Sequence, residues 1–270
     1  MHRRDVLRLG LAVAGLTLTA SCSRDDGPGP DVQTIAYGDD PAQRAELSRP
    51  SGRSRGVVVV IHGGFWRQQY DLSLGRPLAA ALASTGWTAW NLEYRRVGGG
   101  GGFPATFDDV AAGIDALADV PDLDLSTVVT LGHSAGGHLA VWAAGRRRTT
   151  RWADVRVPVT AAISQAGVLD LAAGEGLGGG AVRDLLGDEP VSAEVDPLGQ
   201  VPLEVPVRCV HAPDDPLVPI EQSEAYVDAA RAAGADAALV EVDGGHFDVI
   251  DPGSQAWAAV TRTLDTLATA

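Results

Sequence analysis

The chain has 270 residues, 45% of them hydrophobic, which suits one sizeable core and is short for two. Its formal charge of −14 sets 35 acidic residues against 21 arginines, with no lysine anywhere. Such a surface repels phosphate backbones and anionic headgroups, which leaves nucleic-acid binding with little support.

Residues 1–21 read as an export signal rather than a fold element. Arg3 and Arg4 precede an apolar run from Leu9 to Ala20. That run is shorter than the roughly 20 residues a spanning helix needs, and its positive charges lie on its N-terminal side. Arg3-Arg4-Asp5-Val6-Leu7-Arg8 resembles the twin-arginine export motif, and Leu18-Thr19-Ala20-Ser21-Cys22 resembles a bacterial lipobox, whose cysteine becomes the lipidated first residue. The expectation is a protein exported and anchored through Cys22 on the outer face of the bacterial cytoplasmic membrane, with secretion or an uncleaved anchor as alternatives. Residues 22–31 combine charge, glycine and proline with nothing to bury and read as a flexible tether. The second cysteine, Cys209, sits in an apolar run and has no internal disulfide partner once Cys22 is the terminus, so it reads as a small buried hydrophobe.

From residue 32 to residue 270 one domain is expected, built on alternating strands and helices. Val57 to Ile61 is a β-branched run ending in Gly63-Gly64, a strand buried on both faces. A helix is expected over 72–85, a strand over 87–94, and a helix over 104–118 with proline in its first turn. Thr127 to Leu131 is a further strand, followed by a helix from about Ser134. Strands over 157–164, 205–211 and 237–242 and helices over 219–233 and 252–268 complete the pattern. It implies an α/β fold: a central, mostly parallel sheet with helices on both faces. Two segments interrupt it. Residues 97–103 are nearly all glycine and are expected to be mobile. Residues 167–204 are rich in glycine, acid and proline with one short helix-like piece, Ala181 to Leu186, and read as a lid-like insertion.

Gly132-His133-Ser134-Ala135-Gly136 carries the chemistry. Gly-x-Ser-x-Gly is only moderately informative in a chain with 33 glycines, but here it joins a β-branched strand to a helix, as a nucleophile elbow requires. The turn holds the Ser134 hydroxyl at the carboxyl edge of the sheet and points the Ala135 N–H where an oxyanion would form. A hydroxyl needs a base. His2 leaves with the signal, His133 is expected to be thrown away from the serine by the sharp turn, and His138 to pack one helical turn on. His62 and His211 sit at strand ends. His246, in Gly244-Gly245-His246-Phe247 after the last strand, is left as the general base. The base needs an acceptor on its other ring nitrogen. In His211-Ala212-Pro213-Asp214-Asp215-Pro216 the favoured residue is Asp215, with Asp214 the alternative.

With His62-Gly63-Gly64-Phe65-Trp66 after another strand, the chain resembles the esterase/lipase branch of the α/β-hydrolase fold, including feruloyl-esterase-like and kynurenine formamidase-like members. The likeness runs from Tyr37-Gly38-Asp39 through Glu93-Tyr94-Arg95 and the elbow to Asp215-Pro216-Leu217-Val218-Pro219 and His246-Phe247. The order Ser134, Asp215, His246 is the order of that fold's triad. The resemblance implies that Gly64 and Phe65 donate backbone N–H groups to the oxyanion beside Ala135. Ala212 departs from it, since relatives usually carry glycine there.

The expected activity is acyl transfer through an acyl-enzyme on a small-molecule ester or amide, with Phe65 and Trp66 lining an apolar pocket that favours small or aromatic esters. A carboxylesterase leads. An arylformamidase, a prolyl-oligopeptidase-type peptidase and a catalytically silent binding lipoprotein are the alternatives. No cofactor and no metal is implied, since the histidines lack paired ligand spacing. Nothing in the chain speaks to its oligomeric state.

Overall fold

A computed structural model describes residues 32–267. The signal, Cys22 and the tether lie outside the described residues.

Among the described residues eight strands form one sheet: β1 (Val32–Ala36), β2 (Arg44–Ser48), β3 (Val57–Ile61), β4 (Thr88–Leu92), β5 (Val128–His133), β6 (Ala161–Gln165), β7 (Val207–His211) and β8 (Ala237–Glu241). Their spatial order is β1-β2-β4-β3-β5-β6-β7-β8. β1 and β2, and β2 and β4, pair antiparallel, and every other pair is parallel. Among the described residues the α-helices are six: α1 (Arg76–Ser84), α2 (Ala105–Asp115), α3 (Ala135–Gly145), α4 (Ala181–Leu186), α5 (Glu221–Ala232) and α6 (Gln255–Leu267).

The β-branched run Val57–Ile61 is buried at every position because successive side chains enter opposite cores. Val57, Val59 and Ile61 meet Phe107, Val110 and Ile114 of α2 and Leu139 and Trp142 of α3. Val58 and Val60 meet Leu78 and Leu82 of α1 and Trp257, Val260 and Leu264 of α6. Helices thus cover both faces, which is why these strands show no polar alternation. Helix α3 is buried on nearly all sides, matching a sequence apolar all round.

The antiparallel pair β1–β2 was not among the expected elements. β1 is half exposed, and β2, Arg-Ala-Glu-Leu-Ser, places a carboxylate at an inward position, so neither shows an apolar period. Glu46 is tolerated there because Arg76, at the start of α1, pairs with it at 2.8 Å.

Chain order places the site. After β3 the chain adds β4 on one side and then returns to lay β5 on the other, so the strand order reverses at β3. Ligands bind at such a switch point, outside the carboxyl ends of the strands. The two loops that leave those ends of β3 and β5 are His62–Trp66 and the serine elbow.

Candidate active site

Ser134 lies between β5 and α3 with φ 55° and ψ −119°, a conformation L-residues avoid. Strain of about 1–3 kcal/mol is tolerated there because the surroundings leave no other path. A Cβ on Gly132 would come within 2.0 Å of the Gly136 carbonyl oxygen, and one on Gly136 within 2.0 Å of the Ile61 carbonyl oxygen, so only glycine fits at either position. The Ser134 N–H donates to the Gln165 carbonyl on β6 at 2.8 Å, and the Ser134 carbonyl accepts from Gly137 at 2.8 Å. The serine is 3% exposed.

Asp215 stands in the loop after β7. One carboxylate oxygen accepts the N–H groups of Leu217 and Val218 at 2.8 and 3.0 Å. The other accepts Nδ1–H of His246 at 2.7 Å. That bond places the imidazole proton on Nδ1 and leaves Nε2 as a base. Burial alone would raise the Asp215 pKa. Hydrogen bonds from His211, His246, Val218 and Leu217 outweigh it and hold the carboxyl far below the ordinary range. Asp214, the alternative acid, is exposed.

His133 departs from expectation. Its ring is not thrown clear of the site but lies against His246, centroids 4.5 Å apart, and its Nε2–H donates to the His246 carbonyl at 2.8 Å. The residue before the serine therefore holds the loop that carries the base. His211 does a parallel service for the acid. Its Nε2–H donates to the Val218 carbonyl at 2.9 Å and lies 3.4 Å from Asp215, while Nδ1 accepts from Ser223. Neither role has a signal in sequence spacing, because both bonds cross between loops that follow different strands.

The loop after β3 is a tight turn in which the Arg67 N–H bonds the Gly64 carbonyl at 3.0 Å, with Phe65 and Trp66 both left-handed at φ 54° and 55°. Non-glycine residues in such positions mark a strained, fixed backbone. It is fixed from below. The Tyr94 hydroxyl donates to the His62 carbonyl at 2.8 Å, and the His62 ring stacks on Tyr94. The His62 ring faces the Gly63 carbonyl through Nδ1 at 2.8 Å and the Glu93 carboxylate through Nε2 at 3.0 Å, and burial pushes its pKa down to about 4. Arg96 pairs with the same carboxylate, which also accepts the N–H groups of Tyr94 and Leu72. Glu93 anchors the whole loop, a role the sequence only hinted at through the family likeness.

This loop meets the elbow at Gly63, where a Cβ would lie 2.7 Å from the His133 carbonyl oxygen and 3.2 Å from the Ser134 Cβ. Among the described residues, the N–H groups of Gly64, Phe65 and Ala135 donate to no protein acceptor. Unpaired donors beside a strained serine are what an oxyanion site requires. Phe65 is half-buried, with the backbone at Gly178 against its ring. Trp66 does not line a pocket as expected. It is 1% exposed and packs edge-on against His138, so it braces the loop from within the core.

The 167–204 segment is less lid-like than its composition suggests. Ala181, Val182, Leu185 and Leu186 of α4 are buried in the main core. His138 and Trp142 on α3 donate to the carbonyls of Val195 and Glu194 at 2.8 Å, and Asp196 accepts the Leu171 N–H at 2.9 Å. The glycine-rich stretch 174–180 makes its backbone hydrogen bonds within the segment, with Leu177 packed against the core and Gly178 against Phe65. The glycine loop expected to be mobile is wound into hydrogen-bonded turns, with the N–H groups of Gly99 and Gly101 on the Arg96 carbonyl and that of Gly102 on Thr106. Among the described residues, no group of three or more His, Cys, Asp or Glu side chains is placed to hold a metal ion.

Three of the buried histidines make acid stability predictable. Burial pushes His62 and His138 down to about 4 each, and burial reinforced by nearby His246 pushes His133 down to about 3. In the unfolded chain each takes up a proton near pH 6.5. Between pH 6.5 and 4 the unfolded state therefore binds protons that the folded state does not, so stability is present above pH 6.5 and is lost on acidification. The loss is about 1.4 kcal/mol per pH unit for each histidine. The melting temperature should fall across that window, with uptake of about three protons on unfolding at pH 5. Calorimetry in buffers of different ionisation enthalpy measures the uptake, and a value near zero would refute the neutral assignment.

Residues 47–229 match the family model described as BD-FAE. The chain belongs to that family. BD-FAE proteins are esterase-like α/β-hydrolases, and the matched residues of this chain include the His62–Trp66 loop, the elbow and Asp215. The match ends before His246, whose assignment rests on its bond to Asp215. This BD-FAE chain is 26% identical over 247 residues to Esterase LipC of Mycobacterium tuberculosis, an alignment covering 80% of this chain and 60% of that protein. It therefore spans less than two thirds of that relative's length. Among solved structures, Esterase B of Lactobacillus rhamnosis superposes with a TM-score of 0.76 at 23% identity, covering 91% of this chain and 90% of that one. A truncated carbohydrate esterase from gut microbiota gives 0.75 at 19%, covering 90% and 100%. An esterase of Thermogutta terrifontis gives 0.73 at 22%, covering 88% and 91%. These likenesses establish the α/β-hydrolase fold.

Proposed function

We propose that this BD-FAE chain is an exported serine hydrolase that cleaves small or aromatic carboxylic esters through an acyl-enzyme on Ser134. The observation that carries the reading is the 2.7 Å bond from His246 Nδ1–H to Asp215, because it leaves His246 Nε2 free to take the serine proton. Nε2 accepts that proton as Ser134 Oγ attacks the ester carbonyl carbon. The oxyanion is held by the N–H groups of Gly64, Phe65 and Ala135. The carbon–oxygen bond to the alcohol then breaks as Nε2 returns the proton to the departing oxygen. Water, deprotonated by the same nitrogen, releases the acid and restores Ser134. Asp215 stays ionised throughout and stabilises the imidazolium.

The likeness to Esterase LipC supports an ester as substrate. The His62-Gly63-Gly64-Phe65-Trp66 loop favours a second reading, an arylformamidase. Purified protein assayed on short acyl esters, feruloyl esters and N-formylkynurenine separates the two. Ester turnover with the highest kcat/KM on short acyl or aromatic esters is the expected result. Faster turnover of N-formylkynurenine than of any ester would replace it with the second reading.

Export and anchoring rest on Arg3-Arg4 and on the run ending at Cys22. Cells fed labelled palmitate should yield a labelled, membrane-bound protein, and Cys22→Ser should be unlabelled. Wild-type protein found unlabelled in the soluble fraction would sink the anchor.

A further inference from the structure

Four large apolar side chains stand exposed among the described residues: Tyr70, Leu74, Leu217 and Phe247. Three of them adjoin the site. Tyr70 is 36% exposed and lies over the oxyanion loop, so close to Gly64 that a Cβ there would sit 2.4 Å from its ring. Leu217 is 38% exposed, and its own N–H donates to Asp215. Phe247 is the most exposed of the four at 61%, and it directly follows His246.

Phe247 is not held out by a slack loop. Its neighbour's carbonyl accepts from His133, and the Gly245 N–H donates to Asp248 at 2.7 Å, so the backbone on both sides is fixed. The ring stands edge-on to His246, centroids 5.2 Å apart, and 5.9 Å from His133. A large aromatic ring left in water beside a catalytic base has one face unpartnered, and aromatic rings pair with other flat rings at such separations.

The chemistry decides which part of a substrate would use that face. His246 Nε2 takes the proton from Ser134 and passes it to the departing oxygen, so in the acylation step the leaving group must lie beside the His246 ring. We propose that Phe247, with Tyr70 and Leu217 on the same rim, forms a leaving-group platform, and that the preferred substrates are esters of aromatic alcohols or phenols. This inference rests on the ester-hydrolase reading and names the side of the bond on which the aromatic group sits. In the step it serves, the Ser134 Oγ–carbon bond forms, the carbon–aryloxy bond breaks, and the serine proton leaves with the phenol.

Phenyl acetate and methyl acetate test it, because both give the same acetyl-enzyme and differ only in leaving group. In full-length Phe247→Ala, kcat/KM for phenyl acetate relative to methyl acetate should fall about 3- to 10-fold, the range expected for one lost aromatic pairing. Phe247→Tyr should restore the ratio. An unchanged ratio in Phe247→Ala, whether both rates fall together or neither does, overturns the platform while leaving the hydrolase standing. Wild-type protein that cleaves neither ester and takes no fluorophosphonate at Ser134 overturns the hydrolase reading and the platform with it.

Discussion

Fluorophosphonate should label the wild-type protein at Ser134 and fail to label Ser134→Ala, whose ester hydrolysis should fall by a factor on the order of 10⁶. This outcome is expected because no other hydroxyl among the described residues combines what Ser134 has: a strained φ of 55°, the start of a buried helix behind it, and the unpaired Ala135 N–H beside it. Removing Oγ removes the acyl-enzyme, while the oxyanion donors and their modest residual catalysis remain. The framing glycines and the Ser134 N–H bond to Gln165 are untouched by the substitution, so the variant should melt close to wild type. Equal labelling of wild type and Ser134→Ala, or none of either, would end the mechanism. A melting temperature that collapsed with activity would show instead that the hydroxyl holds the turn.

Asp215→Asn should lower kcat by about 10⁴ with the fold intact. Asparagine can still accept the N–H groups of Leu217 and Val218 on one oxygen, so the loop keeps its shape. Its amide NH₂, however, faces His246 Nδ1 in place of a carboxylate oxygen. The ring then carries its proton on Nε2, the atom that must accept from Ser134, and the base is lost to the wrong tautomer. Asp214→Asn changes an exposed carboxylate with no bond to His246 and should leave kcat as it was. Steady-state kinetics on the two variants decide the acid, and the reverse ranking would move the role to Asp214. The depressed Asp215 pKa adds a condition. A carboxyl held low contributes stability that is present above its unfolded pKa of about 3.9 and lost only as pH falls through its lower folded value. Loss of stability between pH 6.5 and 4 therefore belongs to groups other than Asp215, chiefly to the buried rings of His62, His133 and His138.

The residues that hold these parts together were the least legible. His133 is a wildcard position inside the elbow pattern, and nothing in Gly132–Gly136 says that its ring will turn toward His246. The bond between them joins residues 113 apart in the chain. Glu46, Glu93 and Arg146 are charged residues that a sequence pattern assigns to the surface, and each is buried because a partner from another element meets it: Arg76, the His62–Arg96 pair, and Asp115. Composition also misled in two places. Glycine in 97–103 suggested mobility, and acid with glycine in 167–204 suggested a lid. Hydrogen bonds to Arg96 and Thr106 in the first, and to Asp196 and from α3 in the second, fix most of both.

What the sequence by itself determined was whatever a local pattern can encode. β-branched runs such as Val57–Ile61 dictate strands buried on both faces, because such side chains suit a pleated surface and nothing polar alternates with them. Gly132 and Gly136 around Ser134 dictate a sharp strand-to-helix turn, because no Cβ fits at either end. The order of serine, aspartate and histidine, each after its own strand, puts all three at one end of a parallel sheet. Only the tertiary structure paired His246 with Asp215 and not Asp214, turned Trp66 from pocket wall into core brace, set His133 against His246, and left Phe247 in solvent beside His246. Each of those depends on how loops from different strands approach one another across the sheet edge, and their separations are set by packing and hydrogen bonds between residues far apart in the chain.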